Sequence, residues 1–488
     1  MLYMLAVPAL LLCACSSEES WEDLLPQEDR QAHQYINLTV TVSSDGRQTP
    51  TRAPMGGEDG DGREKGFDRE NAITGITFIL ADGPLSSATA KIAYIQYYPV
   101  SEATADYAED GHGHTDSDIE KKYTTGDQLV SRDELDMTVS KEYNVYVVAN
   151  RRIEAVKGDY LSTIKDKTLA ANELFTGNGY APDGCRNFVM ASDQEVTINF
   201  ASAVDVDKTE AASAEYYRLT KPIVIERLAA RLDFCTAYSG NTKNADYGTY
   251  EVKEDGVTKE SLGFKYTTDG GGYYILESIT PFNIYNEQEY LFERVTTGWT
   301  GTPTTTYLGQ ETAANYIVDP HTADKVSTTL AYQSPLAATM LTTWQRTADK
   351  LYSQSSKTKV INDDDNFVLA YCMENTLMPN SPLKTYATGL VITGSYYDKD
   401  DNFLTRRTFY GYLRHQGEGG TTYSATELTA DNLTADDRTG DATKPMNFSI
   451  VRNNIYRVNI ESVDSKGFIK LKLAVHDWRE VTHPTIYL

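Results

Sequence analysis

Apolar and polar side chains alternate with a period of two along much of this chain, and that period decides the fold class. Ile469, Leu471, Leu473 and Val475 alternate with Lys470, Lys472 and Ala474, and Ile36-Asn37-Leu38-Thr39-Val40-Thr41-Val42 repeats the pattern near the other end. Successive side chains of a strand point to opposite faces, so such a segment has one core face and one wet face. Further β-rich segments span 73–80, 91–100, 143–149, 195–200, 223–234, 273–284, 367–371, 388–397, 404–412 and 454–461, while helical periodicity is scarce. The chain is therefore expected to be all-β. Its 34 Tyr, abundant Thr and lack of an 18-residue apolar run beyond the leader fit an exported, strand-rich, soluble body.

The leader is the stretch Leu5 to Leu12, almost wholly apolar and too short to span a bilayer. Small residues in Leu12-Cys13-Ala14-Cys15 resemble a bacterial lipobox, which implies lipidation of Cys15 and a signal peptide over 1–15. No Lys or Arg precedes the apolar run, so the true start is expected elsewhere than at Met1. Ser16-Ser17-Glu18-Glu19 is similar to the acidic tethers of surface lipoproteins in the Bacteroidales. Past the leader roughly 470 residues remain, enough for two large domains. A formal charge of −25 argues against a nucleic-acid partner, because phosphates would be repelled over most of the surface. Cys185, Cys235 and Cys372 are far apart and odd in number, which makes neither a disulfide framework nor a zinc site.

Polar connections are expected at 101–138, 157–183, 240–263 and 298–359, with short helices within 157–173 and 336–351. The charged, alanine-rich stretch Asp205 to Leu219 places a domain boundary at about residue 218. Chemistry-bearing motifs are few. His112 and His114 beside Asp110, Asp116 and Asp118 lack further metal-ligand spacing and read as a solvated loop. Asp363 to Asp365 and Asp398, Asp400 and Asp401 lack the calcium-loop glycine and terminal glutamate and read as hairpin turns. With no Gly-x-Ser-x-Gly, phosphate loop or dinucleotide fingerprint, neither catalytic residues nor a metal or other cofactor are expected, although 70 acidic residues leave a glycosidase pair open.

Three runs carry a family resemblance: Ile223 to Phe234, Tyr274 to Ile279 with Tyr290-Leu291-Phe292, and Val451 to Ile460 followed by Leu471 to Val475 and Trp478. Their order resembles the C-terminal domain of the Bacteroidales fimbrillins, FimA-like pilus subunits, with Arg452-Asn453 and Tyr456 matching an Arg-Asn-x-x-Tyr strand and Val475 with Trp478 a closing Val-x-x-Trp strand. Tyr371 to Thr376 and Tyr143 to Asn150 add matches in the expected order.

The resemblance implies two transthyretin-like Greek-key β-sandwiches in tandem, over 53–217 and 218–488, behind a propeptide over 16–52. It also implies cleavage by an extracellular trypsin-like protease between Arg52 and Ala53, with Arg47 and Arg63 as fallback sites. The glycine-rich stretch 55–66 beyond Arg52 suits such access. Cleavage would release the lipid and the strand bearing Ile36, Leu38, Val40 and Val42, and leave an open groove. A C-terminal strand of the next subunit would fill that groove by donor-strand exchange, with Leu471, Leu473, Val475, Trp478, Val481 and Ile486 as candidate anchors. Trp478 fits a core aromatic equally well. Donor and groove at opposite ends of the chain make a head-to-tail contact that propagates as a filament. The expected partners are copies of the chain, related tip and anchor subunits, the protease, and the outer membrane through the lipid before processing; the expected end point is a cell-surface fimbria. The alternative is a non-polymerising surface lipoprotein, a tip adhesin or an anchor subunit that binds glycan or protein.

Overall fold

The structure, a computed structural model, describes residues 33–42, 63–64, 67–103, 121–131, 135, 141–165, 167–179, 184–192, 196–199, 204–205, 217–218, 223–236, 245–295, 305–307, 320, 325, 330, 332–333, 336, 366–378, 380–414, 421–440, 447–478, 481–482 and 484–487. The all-β expectation holds: almost every pairing is antiparallel, and the sheets form a sandwich-like arrangement in two parts. Helices are single turns or little more, at Asp68–Asn71, Ser162–Lys165, Ala171–Leu174, Leu383–Tyr386 and Ala430–Ala435. Among the described residues no helix is long and apolar enough to cross a membrane.

The long strands of the C-terminal sandwich all come from residues 230–478. One of its sheets runs Asp246–Glu254, Val257–Thr267, Tyr273–Phe282, Gly389–Tyr397, Phe403–Tyr412 and Thr426–Glu427. The other runs Arg63–Glu64, Ile469–Trp478, Asn454–Val463, Ala230–Cys235 and Asn366–Cys372, with Thr421–Ser424 also paired to Ile469–Trp478 and with Ala230–Cys235 parallel to Asn454–Val463. Alternation supplies the core: Tyr456, Val458 and Ile460 from one strand and Leu471 and Leu473 from its neighbour are buried with Phe234, Phe264, Tyr274 and Phe409.

The N-terminal sandwich gathers its strands from further apart. One sheet runs Val481–Thr482, Val224–Arg227, Met190–Ser192, Glu142–Ala149, Gly75–Ala81 and Ile92–Pro99. The other runs Val204–Asp205, Tyr217–Arg218, Pro484–Tyr487, His33–Val42, Lys121–Ser131 and Ser101–Ala103. Gly75–Ala81 is buried at every residue, which is why it reads as a continuous apolar run and not as an alternation.

Three expectations need correction. The run Ile223 to Phe234 is two strands, broken at Leu228 and Ala229. Val224–Arg227 pairs with the N-terminal Met190–Ser192 and Ala230–Cys235 with the C-terminal Asn366–Cys372, so the chain changes sandwich about ten residues beyond position 218. The stretch 240–263 is largely a hairpin, not a connection. Its turn places Asp255 (φ 52°) and Gly256 (φ 76°) both left-handed, as a two-residue type I′ hairpin requires. The stretch 101–138 likewise contains Ser101–Ala103 and the long strand Lys121–Ser131. The turn at Asp398 behaves as expected: its Oδ1 accepts from the backbone N–H groups of Asp400 (2.9 Å) and Asn402 (2.8 Å).

Candidate functional site

The segment that joins the sandwiches carries charge inside an apolar run. Arg231 donates from Nε and Nη2 to both oxygens of Asp233, at 2.9 and 2.8 Å, and from Nη1 to Glu70 Oε2 at 3.1 Å. All three side chains are fully buried. Burying a charge is costly unless it is paired and hydrogen-bonded, and the planar guanidinium fork meets both demands. Burial depresses the Arg231 pKa, but Asp233 and Glu70 more than reverse that, leaving it raised and the group charged.

Glu70 reaches this point because the single-turn helix Asp68–Asn71 turns it inward. Phe67 N donates to Glu70 Oε2 at 2.7 Å, and the Tyr371 hydroxyl donates to Oε1. Beside it Arg227 donates to the Glu70 carbonyl (3.3 Å) and to Asn71. Burial lowers the Arg227 pKa to about 10, with Glu70 pulling it up and Arg231 pushing it down, so it too is charged at neutral pH.

Trp478 closes the cluster. It is fully buried, stacked on Tyr371 (5.8 Å, 14°) and edge-on to Phe188 (5.6 Å), with the guanidinium carbons of Arg227 and Arg231 at 4.9 and 5.5 Å from its ring. Its backbone N–H donates to the Asn453 carbonyl at 3.0 Å. Asn453 (φ 56°) accepts on Oδ1 from Arg227 N at 3.3 Å.

A second buried cluster lies alongside. Arg452 pairs with Glu374 (2.7 Å) and Glu289 (3.1 Å) and donates to the Tyr290 and Leu291 carbonyls. Glu289–Tyr290 in turn pairs with Thr168–Leu169 of the N-terminal part. Burial raises the Glu374 pKa to about 7 against the opposing pull of Arg452. The negative charge of Glu226 adds to the effect of burial, and both favour the protonated form of Glu374.

Segments distant in sequence also meet at this place. Arg63–Glu64 pairs in parallel with Asp477 and Trp478. Beyond Trp478 the tail crosses to the N-terminal sandwich, where Val481 and Thr482 pair with Ile225 and Val224, and 484–487 pair with Val40, Thr39, Leu38 and Asn37. His33–Val42 therefore has the tail on one side and Lys121–Ser131, in nine registered positions, on the other.

The predicted site residues separate accordingly. Leu471, Leu473 and Val475 are buried in their own sandwich, paired with Ile460, Val458 and Tyr456, and Trp478 belongs to the junction. Val481 and Ile486 are paired within the chain as well, opposite Ile225 and Leu38 of the N-terminal sandwich. Ile36, Leu38, Val40 and Val42 lie in the strand between the tail and Lys121–Ser131. Cys15, Arg52, Ala53, the fallback Arg47 and the histidines at 112 and 114 lie outside the described residues. Among the described residues no cluster of three or more His, Cys, Asp or Glu is placed to hold a metal ion. Sequence reading missed Glu70, Arg227, Arg231, Glu374 and Arg452 as a site. The available signal was charge within runs that are otherwise apolar, since a buried charge needs a partner.

No protein-family model matches the chain, and no curated protein matches it. Among solved structures it is similar to a fimbrilin from Porphyromonas gingivalis W83, known from a crystal structure. The alignment covers 90% of this chain and 97% of that one, at 13% identity and a TM-score of 0.35.

Proposed function

We propose that the chain is a pilin-type structural subunit that polymerises at the cell surface by protease-triggered strand exchange. The observation that carries this reading is the position of His33–Val42 between the tail and Lys121–Ser131. A single strand thereby fills a slot in the N-terminal sandwich and also holds the tail in place. Cleavage at Arg52-Ala53 would remove it and have two effects together. Lys121–Ser131 would lose its neighbour and become an edge, and unpaired backbone groups at such an edge are a template for another strand. The tail would lose all four partners in 37–40 and keep Arg218 opposite Tyr487, with Ile225 and Val224 opposite Val481 and Thr482. Acceptor and donor are then created by one event, which keeps the unprocessed chain from assembling early. A tail that leaves its own chain and enters the slot of the next repeats head to tail without closing, the geometry of a fibre. The lipobox-like Cys15 would anchor the precursor until then.

The test is trypsin-type processing of the purified chain, with N-terminal sequencing and electron microscopy before and after, beside a variant truncated after Trp478. Cleavage at Arg52-Ala53 that yields filaments, abolished by the truncation, is the expected result. An uncut or persistently monomeric chain overturns the proposal in favour of an anchor or ligand-binding surface lipoprotein.

A further inference from the structure

The attachment of the chain changes abruptly at Trp478. Up to that residue it is held by a fully buried aromatic and charged box: Tyr371 stacked on the indole, Phe188 edge-on, and Arg227 and Arg231 at the ring, fixed from behind by Glu70 and Asp233. Its backbone is paired on both sides, with Asn454–Val463 and with Arg63–Glu64. Past it the chain is held by two registered positions on Val224–Arg227, four on His33–Val42 and one on Arg218. Every group in the box except Trp478 itself comes from residues 67 to 371, so none is removed with the propeptide and none moves with the tail.

On the reading that the tail is exchanged, we propose that Trp478 is a fixed pivot and not a donated anchor. Glu70 is its positioning residue, acting through Arg231 and Tyr371. The sandwiches stay locked to each other, and the root of the tail stays aligned, while only the residues beyond Trp478 change partners. The pairing of Arg63–Glu64 beside Asp477 and Trp478 further implies that the retained N-terminal arm leaves the body next to the tail, so both chain ends lie in the same joint. A pivot of this kind limits what must be ordered anew at each joint to the tail itself, because a root already fixed loses no further conformational freedom.

The experiment uses the full-length chain with Trp21, Trp299 and Trp344 changed to Phe, leaving Trp478 as the sole tryptophan. Its emission and acrylamide quenching are followed before processing, after processing and in filaments, alongside hydrogen exchange of amides 481–482 and 485–487. The pivot predicts a blue, poorly quenched Trp478 in all three states, while tail exchange accelerates by about tenfold or more on processing. Quenching of Trp478 that rises together with tail exchange overturns the pivot. A tail released without any assembly overturns the pilin reading and leaves the pivot standing; a tail that processing does not release overturns both. Glu70→Gln, which keeps the shape and removes the charge, raises Trp478 quenching before processing if Glu70 positions the box. Tyr371→Phe, which keeps the ring and removes only the hydroxyl, has a smaller effect in the same direction. Unchanged quenching in Glu70→Gln removes Glu70 from the role.

Discussion

The two sandwiches are closed in different ways. The C-terminal one takes all its long strands from residues 230–478, and its core is filled by neighbours such as Tyr456, Val458 and Leu473. The N-terminal one takes strands from 33–42 and from 481–487, the two outer ends of the described chain. The long strands of the C-terminal sandwich are all continuous with its own core-forming region. The N-terminal sheet that includes 33–42 and 484–487 is instead completed by segments from the two outer ends of the described chain. If strands are exchanged as proposed, this difference would confine the exchange to the N-terminal part, with the charged junction as its boundary.

Removing residues up to 52 should break the comparison most visibly. With nine positions of Lys121–Ser131 losing their partners, and about 0.5 kcal/mol for each net hydrogen bond at the low end, the N-terminal sandwich should lose roughly 5 kcal/mol. Site-resolved hydrogen exchange should show amides of 121–131 and 485–487 accelerating strongly while those of Asn454–Val463 stay protected. Equal acceleration in both sandwiches would refute the division. Arg231→Ala acts on the boundary instead. It leaves Glu70 and Asp233 buried without their shared cation, a loss of about 3–5 kcal/mol that should lower both sandwiches together in calorimetry. If only one sandwich responds, the junction is not a shared lock.

Glu374 gives the junction a pH signature. Its folded pKa of about 7 lies above its ordinary 4.5, so the folded state binds a proton that the unfolded state has released. The proton's contribution is complete below about pH 4.5, shrinks as pH rises, and is gone above about 7. Glu374→Gln mimics the protonated form, so its stability relative to wild type should rise across that window by up to about 3 kcal/mol, at 1.36 kcal/mol per pKa unit. Denaturant melts at pH 4.5, 6 and 8 check this, and a constant difference would show that Glu374 stays ionised.

Gly263→Ala probes the C-terminal sandwich alone. A Cβ there would sit 2.1 Å from the Leu276 carbonyl oxygen and 2.7 Å from Ile275 Cγ2, so the backbone must shift, at about 1–3 kcal/mol. The melting of the C-terminal sandwich should fall while exchange of 121–131 is untouched; movement of both would mean the sandwiches are not separable.

How much of this was readable in advance follows from where the period-two signal survives. Asn454–Val463 and Ile469–Trp478 were legible because apolar side chains recur at every second position, Tyr456, Val458 and Ile460 in one and Ile469, Leu471 and Leu473 in the other, and these fill the core. The hairpin Asp246–Glu254 and Val257–Thr267 was not, because residues 257–260 are exposed and its surface charges read as a loop. Asp255-Gly256 was the overlooked turn signal. The junction was illegible for another reason: Glu70 and Arg231 are 161 positions apart, and no local period reports a contact at that distance. Arg452-Asn453 was visible as a motif, but its meaning emerges only with Glu374 and Trp478 in place.

The smallest expected effect is the sharpest test of where exchange begins. Asn454 and Asp477 are partners across neighbouring antiparallel strands, one residue before Trp478. A disulfide between cysteines at these positions, a spacing such pairs accommodate, would pin the strand Ile469–Trp478 to its own sandwich. If Leu471, Leu473 and Val475 are core residues throughout, the oxidised Asn454→Cys, Asp477→Cys protein should process and assemble at the rate of its own reduced form. That reduced form is the proper reference because Asn454 also gives up hydrogen bonds to the Val451 and Arg452 carbonyls. An oxidised form that is cut normally but no longer assembles would show that the strand itself must leave. The C-terminal sandwich would then be as exchangeable as the N-terminal one.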